Sequence, residues 1–461
     1  MVRILCITGA AALVASTGAA ALDLTLERAV EMAIASHRTV ETAQLSVQGE
    51  ALSLSTAKSA FDLRVVPTGT VGRIGSNAFT TAEGINSSVG VQVSKRFETG
   101  TVLALGPSYN RSGADRNTTL ALSLEQPLVR GWSSAVSLDP VKRAQFSYAS
   151  SQRAFEQARV NTALEAIGAY YGVLREQRLL AFAGEQRTRM EQHTAVAGAK
   201  ERSGLIDSMD LLRARVRLKD AEDALNLARV SLEGATNRLR RALELPLDAD
   251  LRLTPPTDAR LDSVDPEAEA VAHRAEIVQL RAELDEARRT ADVARRNVLP
   301  EVTLHLSVGQ ASQVDPFLVQ YVPTTQRQWS VFLQSASDLA RTAEKNAAQQ
   351  AALRVETARF ALESKTADVR RQVREQQLQL ADARVRIGLR EEQIHQAETR
   401  LALAEVKFSH DLASNLDVLE AENELQRAEA ILASARADYA IGVFQLRAMA
   451  GRLLDPSGSR S

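Results

Sequence analysis

The chain has 461 residues and is short of the features that mark most compact enzymes. Aromatics make up only 4% of it, low for a catalytic globule of this size. A single cysteine, Cys6, leaves no pair for a disulfide. Net charge is -1, from 56 basic and 57 acidic side chains, so the basic stripe that nucleic acid requires is missing. Beyond the N-terminus no run of ~18 apolar residues occurs, so no transmembrane helix is predicted. There is no P-loop, no G-x-S-x-G and no H-E-x-x-H, and the 6 histidines have no ligand spacing. No catalytic residue, metal ligand or cofactor is predicted, and an enzyme is disfavoured.

What is present starts with an export signal. Arg3 precedes a short apolar run over residues 4–15, and Ala19-Ala20-Ala21 offers a cleavage site, so residues 1–21 are predicted to be removed together with Cys6. No lipobox cysteine stands at the cleavage site, so no lipid anchor is predicted. An exported chain without a membrane-crossing helix is either soluble in the periplasm or crosses a membrane by strands.

The body of the chain is duplicated. Residues 203–214 read SGLIDSMDLLRA and residues 410–421 read HDLASNLDVLEA, and an offset of 207 carries Asp210 onto Asp417. A heptad ladder follows each. Leu211, Leu218, Leu225, Leu232 and Leu239 run in the first, trailed by Ala214, Ala221, Ala228, Ala235 and Ala242. Val418, Leu425, Leu432, Tyr439, Leu446 and Leu453 run in the second, trailed by Ala421, Ala428, Ala435, Gly442 and Met449. Seven-residue repeats with small residues on the seam predict long helices in close lateral packing. The spacing predicts helical hairpins over 139–245 and 338–453, turning near Gly204 and Asp411, with ascending arms of ~95–105 Å. Such arms cannot share one compact core.

Upstream, single helices are predicted over 24–62 and 264–298, each ending at a proline, near Pro67 and at Pro300. Beyond each, the period changes to two. Val302, Leu304, Leu306 and Val308 alternate with polar or small residues, as do Leu120, Leu122 and Leu124. Strands are predicted within 65–126 and 301–334. This alternation fits a membrane barrel or a half-buried soluble sheet equally well. The first strand region is ~30 residues longer, and the excess falls on a predicted hairpin over 88–110 that turns at Glu98-Thr99-Gly100. Its place, in the barrel wall or outside it, stays open. The domain plan is a first repeat over 22–245, a proline-rich linker over 246–266, a second repeat over 267–454 and a tail over 455–461. A sheet in hydrocarbon must close, and one chain has too few strands to close alone, so several copies are required.

With these elements in this order the chain resembles the TolC family of outer-membrane efflux and secretion proteins. The resemblance runs from LTLERAVEMAIASHRTVETAQ to YAIGVFQLRAMAGRLL and is carried by RNVLPEVTLHLS, LSLEQPLVRG and FSHDLASNLDVLEAENEL. It implies a mostly helical fold in which duplicated coiled-coil hairpins form a periplasmic α-barrel and the strands join an outer-membrane β-barrel. It also implies a homotrimer with a twelve-stranded barrel on a twelve-helix barrel, set in the outer membrane of a Gram-negative cell and extending into the periplasm. Its partners would be outer-membrane lipid, a periplasmic adaptor and an inner-membrane pump. The implied function is the passive exit duct of a tripartite efflux or type I secretion system, gated at the periplasmic tip. The competing reading is a soluble periplasmic coiled-coil adaptor or scaffold.

By the same resemblance, Asp417 and Glu420 take the two acid positions of the family's tip motif and would line the pore constriction. Three copies would set six like charges around it, which raises carboxyl pKa values. Asp210 and Phe408 fall at positions of closed-state contacts, with phenylalanine in place of the usual tyrosine. Gly204, Leu205, Asp411 and Leu412 fall at the adaptor-docking turns, with Asp411 where glycine is usual.

Overall fold

A computed structural model describes residues 22–74, 84–112, 115–256, 265–314, 324–410 and 412–454. The predicted signal peptide, the tail over 455–461 and Asp411 lie outside the described residues. The first half holds β1 (Leu22–Leu24), α1 (Leu26–Ser36), α2 (Arg38–Ser59), β2 (Arg64–Ile74), β3 (Gly84–Arg96), β4 (Val102–Ser112), β5 (Asp115–Pro127), α3 (Ser134–Ser137), α4 (Asp139–Arg202) and α5 (Ser208–Ala242). The second half holds β6 (Leu251–Leu253), α6 (Pro266–His273), α7 (Ala275–Asn297), β7 (Val302–Val314), β8 (Thr324–Ser335), α8 (Thr342–Ser409) and α9 (Asn415–Met449). The chain is mostly helical, and no described helix is long and apolar enough to cross a membrane.

Both predicted single helices are broken, and at equivalent points. His37 and Arg274 adopt extended backbone (φ -70, ψ 129 and φ -60, ψ 125), and each donates its N–H four residues back, to Ala33 and Ala270 at 3.0 Å. Neither break has a proline or glycine, so composition does not mark them. The first junction also differs from expectation: α2 ends at Ser59, and Pro67 lies inside β2, an edge strand where a missing N–H is tolerated.

The elements sort into two compact units. One gathers the described residues up to Ala43, Phe155–Ala275 and those from Ala367 onward; the other gathers Gln44–Ala154 and Glu276–Thr366. In the first unit the heptad seams are buried. Leu211, Ala214, Ala221, Ala235, Leu239 and Ala242 of α5 are covered, as are Val418, Ala421, Leu425, Ala428, Leu432 and Leu446 of α9. Gly442 shows why the seam needs small residues: a Cβ there would stand 2.9 Å from Leu380 Cδ2 of α8. Tyr170, fully buried in α4, donates to the carbonyls of Leu24 and Thr254 at 2.8 and 2.6 Å. Part of the expected linker is thereby structural: β6 pairs in parallel with β1, while residues 257–264 lie outside the described residues.

The second unit contains one antiparallel sheet in the order β2-β3-β4-β5-β7-β8. The sheet is open, since β2 and β8 each have a single neighbour. Strand registry makes its two faces chemically different. Val65, Val93, Leu105, Leu122, Val308 and Trp329 are consecutive cross-strand partners and form one apolar row. The row Thr68, Gly90, Ser108, Thr119, Ala311 and Gln326 lies on the opposite face and is small or polar throughout. Hydroxyl pairs lace that face, with Thr70–Ser88 and Ser108–Thr119 at 2.6 Å and Ser307–Ser330 at 2.7 Å. The apolar face is open: Val71 is 80% exposed and Trp329 78%.

The hairpin left unplaced by sequence is β3–β4, and it sits between β2 and β5 in this sheet. Its turn needs Gly100, which has φ +86 and whose added Cβ would meet the Gly131 carbonyl oxygen at 2.8 Å. Pairing of β3 with β4 lapses at Val91 and Gln92, opposite Pro107, whose ring has no N–H to donate.

Candidate functional site

The two helical turns of the first unit carry the predicted tip residues. At the first, Leu205 N–H donates to the Lys200 carbonyl and Gly204 N–H to Glu201, both at 2.9 Å, and Gly204 has φ +71. That is a Schellman ending, which asks for a left-handed residue at position 204. The second turn repeats the long bond: Leu412 N–H donates to the Lys407 carbonyl at 2.8 Å. Leu205 and Leu412 both stand out into solvent, 60% and 77% exposed.

The acids are arranged differently at the two turns. Asp210 forms an ion pair with Arg213 of its own helix at 3.0 Å. Asp417 closes a capping box at the start of α9: its carboxylate accepts from Ser414 N–H at 2.7 Å and from Ser414 Oγ at 2.8 Å. Those hydrogen bonds, with the charges of Arg400 and Lys407 behind them, hold the Asp417 carboxyl below its ordinary pKa. Within one chain this is opposite to the rise expected for a ring of acids, because the groups nearest Asp417 here are donors. Glu420 is exposed beside it, while the intervening Val418 and Leu419 are buried.

Phe408 is buried among Leu401, Val418 and Leu425 and ties α8 to α4. Lys200 Nζ lies 4.2 Å from its ring centroid and donates to its carbonyl at 2.7 Å, and the His193 ring lies at 5.2 Å. Phenylalanine has no hydroxyl to donate, and the contact it makes with α4 runs through a cation, π face and backbone oxygen. Lys200 was not singled out from sequence. Its only signal was a basic residue in the last turn of a helix.

Comparisons with known proteins bear on the geometry as a whole. The family model described as Outer membrane efflux protein matches residues 268–452. The chain carries an outer membrane efflux protein domain on a TolC-like fold. Its structure is similar to CusC (TM-score 0.73, 14% identity, 92% of each chain covered). It is also similar to the Vibrio cholerae outer membrane protein VceC (TM-score 0.71, 18% identity, 92% of this chain and 96% of that one). A third similar structure is the Campylobacter jejuni CmeC outer membrane channel (TM-score 0.70, 14% identity, 94% and 88% covered). No curated protein matches the chain by sequence. The matched domain is described as that of outer membrane efflux proteins, and the fold is the one shared by the outer-membrane channels compared.

Further along α9 stand one buried acid and one half-buried acid. Glu422, 2% exposed, and Glu429 lie in α9 at the spacing of the seam residues Val418, Leu425 and Leu432. Burial pushes the Glu422 carboxyl up to about 7, against the opposing charge of Arg189 and with Glu405 adding to the rise. Burial also raises Glu429, again with Arg189 opposing. Both residues were legible as acids at core spacing but not as a pair around Arg189, which comes from α4. Among the described residues no cluster fit to hold a metal ion occurs.

Proposed function

We propose that the protein is the passive exit duct of an efflux or type I secretion assembly, built as a homotrimer and opened at its helical tips by a periplasmic adaptor. The observation that carries the reading is a sheet with one exposed apolar face, one polar face and two free edges, in a chain with no described membrane-crossing helix. Unpaired edge groups in hydrocarbon cost several kcal/mol each, so such a sheet closes only against further copies. The helices give independent support. Leu212, Val216, Leu227 and Val230 of α5, and Leu378, Val385, Leu389 and Leu403 of α8, are exposed at helical spacing. These stripes are ready to pack on neighbouring copies. A soluble adaptor or scaffold leaves both the stripes and the outer face of the sheet in water.

In the assembled duct, Asp417 and Glu420 ring the constriction and attract cations. The Lys200–Phe408 strap and the Asp210 region hold the closed state. Gly204, Leu205, Asp411 and Leu412 form the surface on which an adaptor docks, and docking separates the turns. The duct has no energy source of its own, so transport is driven by an inner-membrane pump.

The test is single-channel recording of the reconstituted protein. Asp417→Ala with Glu420→Ala is expected to raise closed-state conductance several-fold and to weaken block by divalent cations. Unaltered conductance together with unaltered block refutes the constriction.

A further inference from the structure

We propose that β3 and β4 are part of the membrane wall, so that the trimer closes an eighteen-stranded barrel rather than a twelve-stranded one. The proposal rests on the trimer reading above and deepens it. A twelve-stranded barrel made by three chains takes four strands from each; this chain places six in one sheet.

Three observations put the extra hairpin in the wall. First, β3 and β4 lie between β2 and β5, and β4 is paired with β5 at every position from Val102 to Ser112. Removing them from the wall would break that whole ladder and leave β2 without a partner in its own chain. Second, their alternation is in phase with the rest. Ile85, Val89, Val91, Leu105 and Tyr109 are exposed on the same face as Leu122, Val308 and Trp329. A hairpin standing in water has no need of an apolar row continuous with its neighbours' rows, whereas a hairpin against acyl chains does. Third, the opposite face of the hairpin carries Ser88, Gly90, Gly106 and Ser108, which suits a polar lumen lined by small residues. The turn joining the two strands is short, over residues 97–101, and exposed Phe97 (44%) and Trp132 (57%) stand at that end of the sheet. Short turns and aromatic residues at the rim are the usual periplasmic border of such a wall.

Barrel diameter grows about linearly with strand number, so the proposed barrel is ~1.5 times as wide as a twelve-stranded one, with about twice the lumen cross-section. The consequence is a membrane pore that admits bulkier cargo than a four-strand chain would form.

The test uses the full-length protein in liposomes. Cys6, the only cysteine, falls in the predicted signal peptide, so single cysteines introduced elsewhere report one site each. Val91→Cys and Leu105→Cys report on the hairpin, Leu122→Cys and Val308→Cys on the undisputed wall, and Ser108→Cys on the inner face. Each is labelled with bimane and quenched in turn by brominated lipid and by aqueous iodide, and the copy number is counted by native mass spectrometry. Expected are three copies, with lipid quenching at positions 91 and 105 within about twofold of that at 122 and 308, and iodide quenching at 108. Three copies with iodide but not lipid quenching at 91 and 105 put the hairpin outside the wall; the trimer then stands and the eighteen-stranded barrel falls. Two copies overturn both.

Discussion

The two helical tips of this chain are copies that have diverged in charge. Where α5 begins with Arg213, Arg215 and Arg217, α9 begins with Glu420, Glu422 and Glu424. The backbone frame is common to both, with the same long hydrogen bond closing each turn, from Leu205 to Lys200 and from Leu412 to Lys407. What differs is how each tip is held. The first satisfies its charge locally, through Asp210 and Arg213 on one helix, and ends on a left-handed glycine. The second is tied to its surroundings: Phe408 to Lys200, Glu424 to Arg400, and Glu422 in the core near Arg189. The Lys200–Phe408 contact ties the two tips to each other, and the second tip adds the Glu424–Arg400 pair and the buried Glu422.

The largest break in that comparison is expected at Phe408. Phe408→Ala removes a buried ring and should cost about 3–5 kcal/mol of local stability. The equivalent position in the first tip is Glu201, where truncation should cost within ~0.5 kcal/mol. Hydrogen exchange of the amides over residues 406–421 and 199–214 reads the two separately. Equal protection loss in both variants would remove the claim that the second tip is the more strongly anchored of the two.

Next comes pH. The Glu422 carboxyl titrates near 4.5 when free and at about 7 in the fold. For an acid whose pKa is raised by folding, the fold is penalised once the unfolded chain ionises and the folded one does not. Stability therefore falls as pH rises from about 4.5 through about 7, by roughly 3 kcal/mol in all. The counterpart of Glu422 is Arg215, which is exposed. Protection factors at the start of α9 should fall between pH 5.5 and 8, and Glu422→Gln should flatten that profile. A wild-type profile already flat would show that water reaches the carboxylate.

Lys200→Met keeps the packing stem and deletes the cation. It should cost about 1–2 kcal/mol, from a cation–π contact and a charge-assisted hydrogen bond. Raised leak conductance in planar bilayers is the matching readout, and leak equal to wild type would deny the strap a role in closure.

Most of the architecture could be read from period alone, because it follows from side-chain spacing. Heptads at 211–239 and 418–453 specify helix seams, and alternation at 302–308 and 120–124 specifies strands. Less legible was anything decided by partners distant in sequence. Lys200 meets Phe408 only because two hairpins lie side by side. The place of β3–β4 depended on which strands pair, and alternation is silent on that. The helix breaks at His37 and Arg274 escaped for a different reason: they turn on a single extended residue of ordinary type, without proline or glycine to announce it. The family resemblance marked Asp417 as a candidate, but not that its carboxylate is engaged by Ser414.

That engagement sets the smallest and most specific contrast. Ser414 caps α9 with its hydroxyl and receives the Asp417 carboxylate in return, whereas its counterpart Asp207 makes no side-chain cap hydrogen bond to α5. Ser414→Ala should cost about 1 kcal/mol at the second tip, and Asp207→Ala close to nothing at the first. The same substitution removes the hydroxyl, the stronger of the two donors that hold the Asp417 pKa down, and keeps the backbone N–H, so its carboxyl should titrate at somewhat higher pH in Ser414→Ala, read by carbon-detected NMR of labelled aspartate. If the acid is to ring a pore, this matters for function: a capped carboxylate stays charged as pH falls, and an uncapped one in a ring of like charges protonates. Cation block that weakens at mildly acid pH in Ser414→Ala but not in wild type would tie the cap to the constriction. Block with the same pH dependence in both would leave the capping box with helix stability as its whole effect.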